Sequence, residues 1–165
     1  MKLGDGVEQA IHSVLLLSGL SPTGLLSAAA IAEFHGVSTS YLLKHLQPLA
    51  GAGILQSVPG PKGGYRLGRA PQDITLLDIV LAVEGPEPAF RCAEIRQRGP
   101  SPLPAPFYKI PCAINVAMLK AEQAYRAELA KVSVADLLTG IPPTIGDAIA
   151  ARTCAFFKEH ERNRS

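Results

Sequence analysis

Tryptophan is absent from this 165-residue sequence, aromatic residues make up 5% of it, and cysteine occurs three times. So few rings leave little material for a sugar-binding platform or an aromatic cage. An odd number of cysteines speaks against a disulfide-framed secreted scaffold and for a reducing compartment, where thiols serve packing or chemistry. Charge of one sign is scarce as well: 16 Lys+Arg against 14 Asp+Glu leave a formal net charge of +2. Bulk charge therefore does not announce a nucleic-acid binder, and the local distribution of cations has to decide. No apolar run reaches the length of a membrane span. The stretch from Val14 to Leu20 could pass for a signal-peptide core, but Asp5, Glu8 and His12 precede it and no small-residue cleavage site is evident. The expectation is a cytoplasmic protein without membrane association. A phosphate loop, a dinucleotide fingerprint and a recognisable nucleophile motif are also missing, which argues against an enzyme and against a small-molecule substrate.

What is present is 47% hydrophobic and 18% charged residues, enough for one cored domain with an extension. Apolar spacing from Gly4 to Leu20 predicts a first helix, stopped by Ser21, Pro22, Thr23 and Gly24. Ser27 is a candidate N-cap for a second helix running through Phe34 to a stop at Gly36. Tyr41, Leu42, Leu46 and Leu49 recur at helical spacing in a third, which starts only a few residues later. Two helices about a tight glycine-containing turn predict a helix-turn-helix. Ile54 to Val58 and Tyr65 to Leu67 flank PGPKGG and predict a β-hairpin, or wing. A further helix is predicted from Thr75 to Val83, broken by EGPEP. Prolines at 100, 102, 104, 106 and 111 make the segment from Phe90 to Pro111 a loop. Helical spacing then returns from Cys112 to Leu138, with Ile114, Met118, Ala121, Tyr125 and Leu129 on one side. Such a stripe on a long helix needs a partner, and a two-fold dimer is the commonest solution. A last helix is expected around Ile145 to Phe157, followed by a frayed charged tail. The predicted class is mainly α: a winged helix-turn-helix with a small β-hairpin wing and a long C-terminal dimerisation helix. The divisions fall at 1–84 for the DNA-binding domain, 85–111 for the cysteine-bearing loop, 112–138 for the dimerisation helix and 139–165 for the extension.

Between Glu33 and Asp73 there is no Asp or Glu, while Lys44, Lys62, Arg66 and Arg69 all fall in that window. This basic surface coincides with the predicted recognition helix and wing, where cations on phosphates supply most of the affinity for a duplex. Ser38, Thr39 and Ser40 bring hydroxyls and free N–H groups to a helix start, with Tyr41 and Lys44 one turn on. Gly63 and Gly64 let a hairpin tip approach a groove, beside Lys62 and Arg66. Lys2 adds a cation at the N-terminus. Read singly, Ser38 is equally well a simple helix cap and Tyr41 the edge of a core; together these residues point to sequence-specific binding of double-stranded DNA. His35 is expected to end the second helix, and His45 to lie on the DNA-facing or solvent side of the third.

Cys92 and Cys112 bracket the proline-rich loop, twenty positions apart. That spacing suits inert or reversibly oxidising thiols as well as metal ligands. Cys154, beside Phe156 and Phe157, reads as a small buried hydrophobe. In VEQAIHSVLL, Glu8 and His12 stand four apart on one helix face, which lets them share a metal or merely edge the polar side of an amphipathic helix.

The opening MKLGDGVEQAIH, the segment VSTSYLLKHLQPLAGAGIL, the wing block VPGPKGGYRLGRAPQDITLLDIV and the stretch AVEGPEPAFRCAEIRQRGP resemble the winged-helix regulators that include IscR, NsrR and RsrR. The resemblance reaches to about Leu138, and it implies a homodimeric bacterial transcription factor, usually a repressor, acting on a palindromic operator. It also implies an iron-sulfur cluster in the loop. The three closely spaced cysteines of the IscR and NsrR types are not here, since only Cys92 and Cys112 lie in the loop. The RsrR type matches better: there a [2Fe-2S] cluster takes two loop cysteines from one subunit and a Glu and a His from the first helix of the other. Those positions fall on Cys92, Cys112, Glu8 and His12. Mixed thiolate, nitrogen and oxygen ligation suits a two-iron centre. The implied function is redox control of DNA binding. The alternative is a cluster-free member governed by thiol oxidation, by zinc on the same four residues, or by a partner protein.

Overall fold

The computed structural model describes residues 3–163, so Lys2 lies outside the described residues. Its elements follow in chain order as α1 (Asp5–Leu17), β1 (Gly24–Leu25), α2 (Ala28–His35), α3 (Thr39–Gly51), β2 (Leu55–Val58), β3 (Gly64–Leu67), α4 (Leu76–Glu84), α5 (Ala113–Ala130), α6 (Val134–Thr139), α7 (Pro143–His160) and β4 (Arg162–Asn163). The class is the expected one, mainly helical with a winged helix-turn-helix.

Local chemistry accounts for the boundaries. Ser27 caps α2 by accepting from the Ala30 N–H at 3.1 Å. Gly36 ends that helix in the left-handed region at φ 66°, a conformation that costs glycine nothing. Thr75 and Asp78 close a capping box on α4, with both reciprocal bonds present. The wing pairs antiparallel, Leu55 opposite Leu67 and Val58 opposite Gly64. A bridge between Leu26 and Tyr65 ties it to the segment before α2.

Inward faces of α1, α2, α3 and α4 enclose one core. Val14, Leu26, Ile31, Leu42, Leu46, Leu49, Ile54, Ile74, Ile79 and Val134 are all fully buried there, and each such aliphatic side chain contributes about 1.5–3 kcal/mol of burial. This core packs α3 against α1, α2 and α4 and joins it directly to β2 of the wing.

Three expectations are corrected. The long helix predicted from Cys112 to Leu138 is two: α5 stops at Ala130, and α6 starts after Ser133. The break comes from tertiary pairing, because Leu76 N–H donates to Val132 O at 2.9 Å and Val134 N–H to Ile74 O at 2.9 Å. Secondly, the tail is not frayed through residue 163. β4 pairs antiparallel with β1, Leu25 opposite Arg162, and Glu161 accepts from the Ser21 backbone N–H and hydroxyl. Thirdly, Cys154 is exposed, and the buried residue of α7 is Phe157.

Candidate DNA interface and cysteine site

At the start of α3 the Ser38 and Ser40 hydroxyls share a hydrogen bond of 2.9 Å, and Ser38 makes no cap bond to the helix. The first amides of α3 therefore stay open to an incoming acceptor. Thr39 sits beside them, partly buried. Tyr41 is exposed, with the Lys44 ammonium 5.7 Å from its ring centroid, so the two form one cation-bearing ledge a turn beyond the serines. On the wing, Lys62 is exposed, and Arg66 is steered by a 2.8 Å bond from its Nε to Gln56, its cross-strand neighbour. Lys44 on α3 and Lys62 on the wing are thus exposed, and Arg66 is partly so.

Not every basic residue of the window is left without a partner in the chain. Arg69 donates to the Asp73 carbonyl at 3.1 Å and lies 3.8 Å from the Asp78 carboxylate, which ties it to the start of α4. His45 is turned toward α1: a methyl group at Gly6 would fall 2.2 Å from its ring, and its Nε2 is buried without a partner. The expectation that His45 lies on the DNA-facing or solvent side of the helix is corrected accordingly. Gly63 and Gly64 are required by the wing itself. A Cβ on Gly63 would come 2.1 Å from Val58 O, and one on Gly64 2.4 Å from Leu26 O. Their smallness serves backbone packing, whatever else the tip approaches.

The loop after α4 is more organised than its prolines suggested. Arg126 on α5 donates to the Pro86 and Glu87 carbonyls, and Glu122 accepts from the Ala89 N–H at 2.9 Å. Further on, Tyr108 accepts from the Leu103 N–H at 2.8 Å and donates to the Arg96 carbonyl at 3.0 Å. These anchors bring Cys92 to Cys112 at the mouth of α5. Among the described residues, one set of metal-capable side chains converges to within 4.8 Å: Cys92, Glu94 and Cys112. Cys112 precedes the first turn of α5. The Asn115 N–H holds its thiol below the usual range against the opposing effect of burial, and the Ile114 N–H, the Arg96 charge and Cys92 add to the lowering. Cys92 behaves oppositely: the Glu94 N–H pulls its thiol down, but burial and the Glu94 and Cys112 charges outweigh it and leave the thiol raised. Such a pair, with an arginine at hand, has the donor chemistry that iron or zinc takes from a protein.

Glu94 was missed in the sequence. Its signal was faint, a carboxylate two positions after Cys92 and an arginine two positions further. Only the backbone turn at Glu94, φ 46°, brings it onto the thiols.

Glu8 and His12 do not join that set within the chain. Both are exposed on α1 and line a cleft of about 930 Å³ between α1, the end of α2 and α7, together with Gln9, His35, Ile149 and Cys154. His12 and His35 rings stand 5.9 Å apart. Burial first, then the His12 and Arg152 charges, lower the His35 pKa from its ordinary value. No helix among the described residues is long and apolar enough to cross a membrane.

This architecture has known counterparts. Residues 3–140 match the Rrf2 family, described as iron-dependent transcriptional regulator. YwgB of Bacillus subtilis, which carries the name of an HTH-type transcriptional regulator, is 46% identical over 85 residues, 52% of this chain and 54% of that protein. The chain thus spans about half of that relative. YffB of Lactococcus lactis, named in the same way, is 33% identical over 137 residues, 83% of this chain and 86% of that protein. Among solved structures, CymR, the global cysteine regulator of B. subtilis, superposes with a TM-score of 0.64 at 25% identity, covering 86% of this chain and 99% of that one. Transcriptional regulation, not catalysis, is what these relatives share. With its winged helix-turn-helix, its paired loop cysteines and this match over most of its length, the chain belongs to the Rrf2 family of DNA-binding transcriptional regulators.

Proposed function

We propose that the protein is a homodimeric redox-sensing regulator of the RsrR type, a cytoplasmic repressor whose [2Fe-2S] cluster state controls binding to a palindromic operator. Cys92 and Cys112 of one subunit hold the cluster with Glu8 and His12 of the partner subunit. The observation that carries the reading is the convergence of Cys92 and Cys112 across a proline-rich loop, while Glu8 and His12, on an exposed helix face, join no converging set of three metal-capable side chains among the described residues. The family's description as iron-dependent supports it. So does the apolar stripe of α5, where Ile114 and Met118, one turn apart on the helix, are exposed and need a cover that a second copy would supply.

When bound, the cluster supplies a one-electron change of charge close to the thiolates. This chain's residues turn that change into geometry. Carboxylate and imidazole hold iron less firmly than thiolate and exchange it for protons more readily, so Glu8 and His12 are the side of the ligand set that responds. Both sit on α1, which packs directly on α3 and α4. A pull on α1 is therefore passed to the recognition helix, whose spacing from its two-fold mate must match successive major grooves. Oxidised and reduced forms then differ in operator affinity, as any ligand-driven switch requires.

The test is visible absorption and circular dichroism of anaerobically purified protein, beside Glu8→Ala, His12→Ala and Cys92→Ala, with iron and sulfide assayed. Equal iron and sulfide in a red-brown wild type, lost in Cys92→Ala and spectrally altered in the α1 variants, is the expected result. A colourless wild type that still dimerises and binds DNA overturns the cluster and leaves control by thiol oxidation, zinc or a partner protein. Equal operator affinity of both redox forms at full cluster loading overturns the switch.

A further inference from the structure

We infer that Cys92, Glu94 and Cys112 form a second kind of site, a self-contained seat for a single thiophilic divalent cation such as Zn²⁺ or Fe²⁺, complete within one chain. It shares the two cysteines with the proposed cluster but does not rest on that cluster, and it uses neither Glu8 nor His12.

The geometry is that of one tetrahedral ion. With bonds of about 2.3 Å to sulfur and about 2.1 Å to oxygen, a thiolate and a carboxylate oxygen on the same tetrahedral ion stand about 3.6 Å apart. Cys92 Sγ and Glu94 Oε1 are 3.6 Å apart, and both lie within 4.8 Å of Cys112 Sγ. The two carboxylate oxygens have separate tasks. Oε2 is gripped by Arg96, whose Nε and an Nη donate to it at 2.9 and 2.8 Å, so the carboxylate is aimed before any ion arrives and Oε1 is the oxygen left toward the sulfurs. Arg96 is held in turn by its contact with the Tyr108 ring, 5.5 Å to the centroid.

Charge and the surroundings of the sulfurs agree with a cation. Two thiolates and a carboxylate carry three negative charges, which one divalent ion and the Arg96 guanidinium neutralise together. The Glu94 N–H faces the Cys92 sulfur, and the Ile114 and Asn115 N–H groups face that of Cys112, an outer shell that orients sulfur ligands. Glu94 is also the one non-glycine residue with positive φ among the described residues. The Glu94 side chain makes no cap bond to the short helical turn that follows it, and holding a non-glycine residue in the left-handed region costs about 1 kcal/mol. A fourth tetrahedral position stays open to water.

The consequence is order of assembly: a single chain holds one metal ion at its loop cysteines before the partner subunit brings any ligand. The experiment uses full-length, metal-free, reduced protein titrated anaerobically with Co²⁺, whose thiolate charge-transfer and d–d bands report sulfur ligation and tetrahedral geometry. The expected result is one Co²⁺ per chain with tetrahedral band intensity, unchanged to within about twofold in the double variant Glu8→Ala/His12→Ala, and weakened at least about tenfold in Glu94→Gln, with Glu94→Asp between. Far-UV circular dichroism of each variant confirms the fold. Co²⁺ binding that survives intact in Glu94→Gln overturns the site, and so does binding that disappears in Glu8→Ala/His12→Ala. The cluster reading fails separately, because its spectrum depends on Glu8 and His12 and not on Glu94.

Discussion

At the scale of single residues, side chains with ordinary sequence neighbours take their meaning from what they touch. Gly63 sits so close to Val58 O that any Cβ displaces the wing backbone. Gly63→Ala should therefore lower stability by about 1–3 kcal/mol, the usual cost of overpacking. It should also weaken DNA binding through the neighbouring Lys62. Thermal melts and gel shifts check the two effects. His35 supplies a pH dependence. Its folded pKa lies below the unfolded value of about 6.5, chiefly through burial and secondly through the positive charges of His12 and Arg152. As pH falls past the unfolded value, the unfolded chain takes up a proton that the folded chain refuses, so stability drops until the folded pKa is reached and then levels. Urea midpoints between pH 7.5 and 5.5 should fall in the wild type and fall less in His35→Gln.

At the scale of elements, the instructive case is the boundary between α5 and α6. Helical spacing of apolar residues runs straight through it, and that spacing predicts one helix to Leu138. The capping box was nonetheless written there: Ser133 accepts from the Asp136 N–H at 3.1 Å, and the Asp136 carboxylate returns to the Ser133 N–H at 2.8 Å. Ser133→Ala should cost about 1 kcal/mol. A lower urea midpoint at unchanged slope is the expected reading. Separating α6 from α5 has a structural purpose. It delivers Val134 into the core beside Ile74 and leaves α5 free to carry its exposed apolar side away from the domain.

At the scale of the whole molecule, the extension beyond residue 140, past the family match, is bound to the DNA-binding unit at several points. Arg152 on α7 donates to the Phe34 carbonyl at the end of α2, and Phe156 packs edge-on against the Phe34 ring. Arg162 on β4 reaches the Pro61 and Gly63 carbonyls at 3.2 and 3.0 Å, at the tip of the wing. The C-terminal segment thus steadies the hairpin that carries Lys62. In Arg162→Ala, hydrogen exchange of residues 59–64 should accelerate and proteolysis after Lys62 should increase, while global stability changes by no more than about 1.5 kcal/mol. Unaltered exchange at the wing would remove this role.

Much of the architecture was legible in the sequence because its signals are local. Ser27 and Gly36 bound α2, the PGPKGG turn separates β2 from β3, and the acid-free window marks the cationic face. Each depends on residues within a turn or two of one another, where capping, φ preference and periodicity act. The rest was settled by contacts between distant segments. Pairing of residues 74–76 with 132–134 divides the long helix, pairing of β1 with β4 orders the tail, and His45 turns inward because Gly6 opens α1 to it. The cysteine site divides the same way: two thiols flanking a proline-rich loop were visible as a pair, but Glu94 joined them only through a left-handed turn stabilised by Arg96 and, behind it, Tyr108. The sequence by itself determined which residues could make helices, a wing and a thiol pair. Tertiary structure alone decided which of them meet, because a contact across many positions depends on chain closure and packing that no local pattern encodes.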